Sequence, residues 1–165
     1  MSAAPMLGSR RLAPAERRLV LTIAAIALLG VGIAAYLTYV HYAGVKPVCA
    51  AGSGGCEKVQ TSAYAKLAGI PVAVLGLVGY VGILASLAAP GDAGRLAGAV
   101  LAISGFGFSA YLTYRELFTI HAICQWCVSS AVVMTIVVVL TLVRWLLYAD
   151  DLEPSRARAT PVESR

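Results

Sequence analysis

Apolar positions in this chain come in long blocks separated by short polar stretches, without the two-residue alternation of half-buried strands. Leu19 to Val40, Ile70 to Ala89 and Leu96 to Tyr114 contain no charged residue, and a fourth block from about Cys124 to Tyr148 is interrupted only by Arg144. Each is close to the about 20 residues that cross roughly 30 Å of hydrocarbon. In lipid such a block must be helical, because every backbone N–H and C=O has to find its partner within the segment. The pattern predicts an all-α membrane protein, a bundle of four transmembrane helices, with Arg144 reaching the far interface along its aliphatic stem. The first block has an apolar core longer than the roughly 7 to 15 residues of a secretory signal, so it reads as a retained anchor. Helices 1 and 2 are joined by an outer loop and a short interfacial helix, Ala63 to Leu67, capped by Thr61 or Ser62 and stopped at Gly69. Pro71 then opens helix 2, where its missing N–H costs nothing.

Composition agrees with this partition. Hydrophobic residues make up 59 % of the 165 and charged residues 13 %, against roughly 25 % charged in soluble domains, which excludes a soluble globule and a disordered chain. The chain divides into a basic N-terminus (1–18), a four-helix membrane domain (19–148) and a polar tail (149–165). Arg10, Arg11, Arg17, Arg18, Arg95, Arg144, Arg156, Arg158 and Arg165 fall on the side of the termini, while Lys46, Lys58, Lys66 and Arg115 fall on the other. Nine cations against four put both termini in the cytoplasm by the positive-inside rule. The net charge of +5 is thus an expression of topology, and no nucleic-acid partner is expected. No nucleotide, flavin or haem motif occurs.

The chain also repeats itself at an offset of 75 residues. Gly30, Gly32 and Ala35-Tyr-Leu-Thr-Tyr39 recur as Gly105, Gly107 and Ala110-Tyr-Leu-Thr-Tyr114, and ten residues after each final tyrosine stands a cysteine, Cys49 or Cys124. Glycine and alanine allow close helix contact and tyrosine favours the interface, which accounts for the residue types but not for the matched cysteines. Two helical hairpins in parallel repeat place helices 1 and 3 in the same direction. All four cysteines, Cys49, Cys56, Cys124 and Cys127, then meet on the outer side.

Three chemistries suit such a set. Cys49-Ala-Ala-Gly-Ser-Gly-Gly-Cys56 is a flexible tether able to close a disulfide or swing a thiol to a partner. Cys124-Gln-Trp-Cys127 opens a helix, where free N–H groups and the helix dipole favour thiolate, the species that attacks disulfides. Cys127 lies about one turn, roughly 5 Å, deeper than Cys124, so two dithiols stacked from water towards lipid read as a path for electrons. Two structural disulfides are the second possibility, although a CxxC bridge closes too short a loop to constrain the unfolded chain much. Zinc is the third, against which the six residues between Cys49 and Cys56 exceed the usual spacing. Ser62 is a cap or a hydroxyl placed to bond a quinone carbonyl. Arg115, Glu116 and His121 read as interfacial residues with a secondary role in proton delivery, and Tyr64 and Trp126 as interface anchors.

These residues together resemble a known family, the bacterial homologues of vitamin K epoxide reductase. The likeness rests on Cys49 and Cys56, Ser62 six residues later, the run Tyr64-Ala-Lys-Leu-Ala-Gly-Ile-Pro71, and Cys124-Gln-Trp-Cys127, and it covers about Leu19 to Tyr148. The resemblance implies a four-helix bundle around a membrane quinone, ubiquinone or menaquinone, with no metal, in the bacterial inner membrane. It implies a relay in which a DsbA-like thioredoxin-fold partner reduces the loop pair, the loop pair reduces the CxxC, and the CxxC reduces the quinone. Carried over, Cys49 exchanges with the partner, Cys56 attacks Cys124, Cys127 contacts the quinone and Ser62 binds its oxygen. Disulfide formation in exported proteins is the implied outcome. The alternatives are a quinone or vitamin K epoxide reductase serving quinone recycling, and a non-enzymatic scaffold with structural disulfides. Many relatives carry a thioredoxin-like domain after helix 4, whereas a polar tail of 17 residues follows Tyr148 here, so the partner is expected as a separate chain. The tyrosine found four residues after the CxxC in the animal enzymes is Ala131, which weighs against epoxide reduction.

Overall fold

A computed structural model describes residues 14–49, 54–89 and 91–148. The cations Arg10, Arg11, Arg156, Arg158 and Arg165, the tail 149–165 and the middle of the loop between Cys49 and Cys56 lie outside the described residues. Four long helices, α1 (Pro14–Ala43), α3 (Val72–Ala88), α4 (Gly91–Arg115) and α5 (Gln125–Tyr148), account for most of the rest. Each packs on two neighbours, α1 on α3 and α5, α4 on α3 and α5, which closes a ring. Its core is built from Ile23, Ala27, Tyr80, Ile83, Ala102 and Val137, all nearly inaccessible. Pro14–Ala43, Gly91–Ile120 and Gln125–Leu147 are long and apolar enough to cross a membrane, and Val72–Ala88 is a shorter apolar helix. Leu28, Val78, Ile103 and Leu146 among others point outward, as expected of side chains whose solvent is lipid. The chain is an all-α membrane protein.

The connections differ from their sequence reading. The expected interfacial helix Ala63 to Leu67 is a single 3-10 turn, Ala63–Ala65, followed by a minimal hairpin in which Lys66–Leu67 (β1) pairs antiparallel with Ile70–Pro71 (β2). Ala68 and Gly69 take positive φ at its tip, so the chain folds back on itself before a helix can grow. Neither Thr61 nor Ser62 caps a helix through its side chain. Their hydroxyls donate backwards instead, Thr61 to the Glu57 carbonyl at 2.8 Å and Ser62 to that of Val59 at 2.7 Å. The helix of this region lies earlier, α2 (Gly55–Gln60), and it carries Cys56. Residues 91–95 form the first turn and a half of α4.

Arg144 is the larger correction. Its side chain does not snorkel outward but turns into the bundle, 5 % exposed, where Nη2 meets the Glu16 carboxylate at 3.3 Å. The same oxygen accepts Arg95 Nη2 at 3.1 Å. The start of α1, the start of α4 and the end of α5 are thereby tied together by one buried carboxylate. A lone arginine in an apolar helix leaves no trace of its partner when that partner lies 128 residues away. Removing one member of a buried ion pair leaves the others uncompensated, so Glu16→Gln is expected to lower stability by about 3 kcal/mol. Thermal unfolding in detergent measures this, and an unchanged midpoint contradicts it.

Candidate functional site

At the opposite end of the bundle the four cysteines converge. Cys49 and Cys56 are joined as a disulfide with Cα atoms 6.5 Å apart, and Cys124 and Cys127 are free thiols. Cys56, Val59, Ile120 and Cys124 form one buried cluster, with Cys49, Tyr64, Trp126 and Cys127 packed against it. The loop disulfide therefore lies directly over the CxxC. Gly55 allows this: a methyl group there would stand 2.6 Å from the Ile123 carbonyl oxygen, so only glycine lets α2 settle on the segment before Cys124. No three metal-ligating side chains converge among the described residues.

Local geometry distinguishes the two free thiols. Cys124 ends the segment before α5, is fully buried, and accepts the Cys127 backbone N–H on its sulfur at 3.4 Å. Its thiol is held below the ordinary cysteine range, first by a hydrogen bond from the Cys127 thiol and further by backbone N–H groups of Cys127 and Trp126, which outweigh burial and the nearby Glu116 carboxylate. Cys127, one turn on, is half-buried.

Cys127 forms part of the wall of a cavity of about 110 Å³ that opens to the outside. Leu37, Val72, Phe108 and Leu112 supply apolar surface, and Gln60, Ser62, Glu116 and Ser130 supply polar atoms at the end near the thiol. A largely apolar space with a few converging polar groups is the form of a small-molecule site. Gln60, not singled out by sequence, points its amide Nε2 at the Cys127 sulfur, 3.9 Å away. Ser62 does line the cavity, with its hydroxyl proton committed to Val59. Tyr64 lines it as well and stacks under the Arg115 guanidinium, 4.7 Å from the ring centre.

Two further residues depart from their sequence reading. Trp126 holds the loop: its indole N–H donates to the Val48 carbonyl at 2.8 Å, and its ring lies 4.7 Å from that of Tyr36. The Tyr36 hydroxyl in turn accepts the Val48 N–H at 3.0 Å. Both backbone groups of the residue before Cys49 are thus pinned by side chains of α1 and α5. The repeat explains why this was hidden, because the equivalent Tyr111 accepts from Arg115 at 3.0 Å and holds no loop. Replacing Trp126 by Phe keeps the ring but removes the donor, so the Cys49–Cys56 disulfide should become more readily reduced; thiol titration against a graded glutathione buffer reads the change.

Glu116 is not interfacial. Residues 116–120 form a π-helical turn that ends α4, and His121 closes it with φ of 52°. Helix ends of this kind recur at functional sites because the widened turn redirects one side chain. Here it turns Glu116 inward, 3 % exposed, where Oε2 accepts the Cys124 N–H at 3.0 Å.

Thiols that face a loop disulfide on one side and an apolar cavity on the other define a class, the membrane-embedded thiol oxidoreductases. The family model described as the vitamin K epoxide reductase family matches residues 21–142, and the chain belongs to that family. Membership carries oxidoreductase chemistry, a membrane location and a general link to quinones.

Proposed function

We propose that the protein oxidises thiols of exported proteins at the expense of a membrane quinone. The observation that carries this reading is the position of Cys127, in the wall of the cavity and one helical turn from Cys124, which lies under the loop disulfide. Electrons then move in one direction. A separate thioredoxin-fold partner attacks Cys49, the more accessible loop cysteine, along the exposed approach offered by Val45 and Val48. Cys56 so released attacks Cys124 of the CxxC disulfide and Cys127 leaves as thiol; the second thiol of the partner then displaces Cys49, closing the partner's own disulfide, and the freed Cys49 attacks Cys56 to restore the loop disulfide and release Cys124 as thiol. Each exchange breaks one S–S bond and forms another. In the last step the two CxxC thiols become a disulfide and a quinone becomes a quinol, with two electrons and two protons transferred. Ubiquinone and menaquinone are the candidate acceptors, with Gln60 and Ser62 as candidate contacts to a ring oxygen. α3 completes a fourth crossing together with the hairpin that leads into it, both termini face the cytoplasm and the cysteines face outward in the bacterial inner membrane.

The test is a trap. Cys49→Ser protein, reduced and then mixed with quinone, is expected to accumulate a Cys56–Cys124 bridge, because the Cys49 thiol that resolves it towards the loop disulfide is gone. Peptide mapping under non-reducing conditions identifies the bridge. A closed Cys124–Cys127 disulfide beside a free Cys56 thiol would sink the relay.

A further inference from the structure

Glu116 stands in the walls of two cavities at once. One is the apolar cavity with Cys127; the other is an open cleft between α2 and the π-helical turn, lined by Gly55, Lys58, His121 and Ile123. No other carboxylate among the described residues lines either. Besides accepting the Cys124 N–H, the carboxyl group lies within hydrogen-bonding reach of the Cys127 thiol. Holding the CxxC in place does not call for an acid. An amide would accept the Cys124 N–H as well, and it is less costly to bury than a carboxylate. A carboxylate that touches the reacting thiol can do what an amide cannot, which is to take and return a proton.

Building on the thiol:quinone reading, we propose that Glu116 is a catalytic residue that carries the proton of the Cys127 thiol to a quinone oxygen. As the two S–H bonds break and the S–S bond forms, two electrons and two protons leave the dithiol. Glu116 accepts the Cys127 proton and passes it into the cavity, Cys124 supplies the second proton, and two O–H bonds form on the quinol. The carboxylate ends the cycle as it began, and no further oxidant or reductant enters. The cleft on its other side lets it re-equilibrate with the outside. The titratable groups that line these two cavities with it are Lys58 from α2, Tyr64 from the 3-10 turn, Arg115 from α4, His121 from the π-helical turn and Cys127 from α5, and Cys124 donates its N–H to it.

The experiment uses the full chain, reduced in detergent and mixed anaerobically with ubiquinone or menaquinone across a range of pH, with E116Q and E116D in parallel. Glutamine keeps the acceptor for Cys124 and loses the proton, so quinol formation should fall roughly 100-fold while quinone binding, read by tryptophan quenching, stays. E116D should recover part of the rate. Without quinone, the pH profile of Cys127 alkylation should show a carboxyl-dependent step in the wild type that E116Q lacks. An E116Q protein with the wild-type rate and alkylation profile overturns the proposal. So does an E116Q protein that has lost quinone binding, with E116D no better, since that marks a structural role. If the wild type forms no quinol from either quinone, the thiol:quinone reading itself fails and this one with it.

Discussion

Cys127→Ser is expected to abolish quinol formation altogether while leaving the loop disulfide intact. The reason is positional. Cys127 is the thiol in the cavity wall, whereas Cys124 is fully buried beneath α2. Serine is close in size and keeps the packing, yet its hydroxyl is neither a thiolate nor able to close a disulfide with Cys124. The loss therefore reports chemistry and not folding. Anaerobic mixing of reduced protein with quinone, followed by quinol absorbance and free-thiol count, makes the measurement. Two thiols should disappear per quinol in the wild type and none in the variant. Quinol formation that survives Cys127→Ser would place the electron exit elsewhere.

Gly55→Ala should separate the two halves of the relay. The added methyl group would lie 2.6 Å from the Ile123 carbonyl oxygen, a backbone atom that cannot yield as a flexible side chain would. α2 must then lift, and Cys56 with it, away from Cys124. Displacement of reacting groups by about 1 Å can cost roughly 100-fold in rate, and thiol exchange requires in-line approach of one sulfur to another. Turnover driven by a thiol protein donor should fall by that order. Quinol formation from protein whose CxxC has been reduced chemically should fall less than donor-driven turnover, because Cys127 is carried by α5 and only the Val59–Gln60 end of α2 lines its cavity. Donor-driven turnover that is unaffected by Gly55→Ala would show that the loop reaches the CxxC by another route.

Much of this was legible in the order of residues. Four charge-poor blocks mark the long helices because lipid leaves the backbone no other partner, and the matched offset of Cys49 and Cys124 after the repeated tyrosines points to one end of the bundle. The short loop cysteine spacing and the CxxC are local signals, and so is glycine at a turn. What stayed hidden was whatever depends on partners distant in sequence. Arg144 reads as a snorkelling cation until Glu16 is found beside it, and Trp126 reads as an interface anchor until Val48 arrives from 78 residues away. Glu116 looks like one half of a surface charge pair with Arg115, since a π-helical turn has no sequence signature that shows which way its side chain will face.

The sequence alone determined the class of the fold and the chemistry available to it, because hydrophobic block length and cysteine identity act through local physics: desolvation of the backbone, and the reactivity of thiols. Only the tertiary structure decided which thiol meets the loop and which meets the cavity, and that a buried carboxylate stands between the dithiol and an open cleft. Those are relations between helices in three dimensions. They are set by how the ring of α1, α3, α4 and α5 closes and by where a single glycine lets α2 come to rest on it.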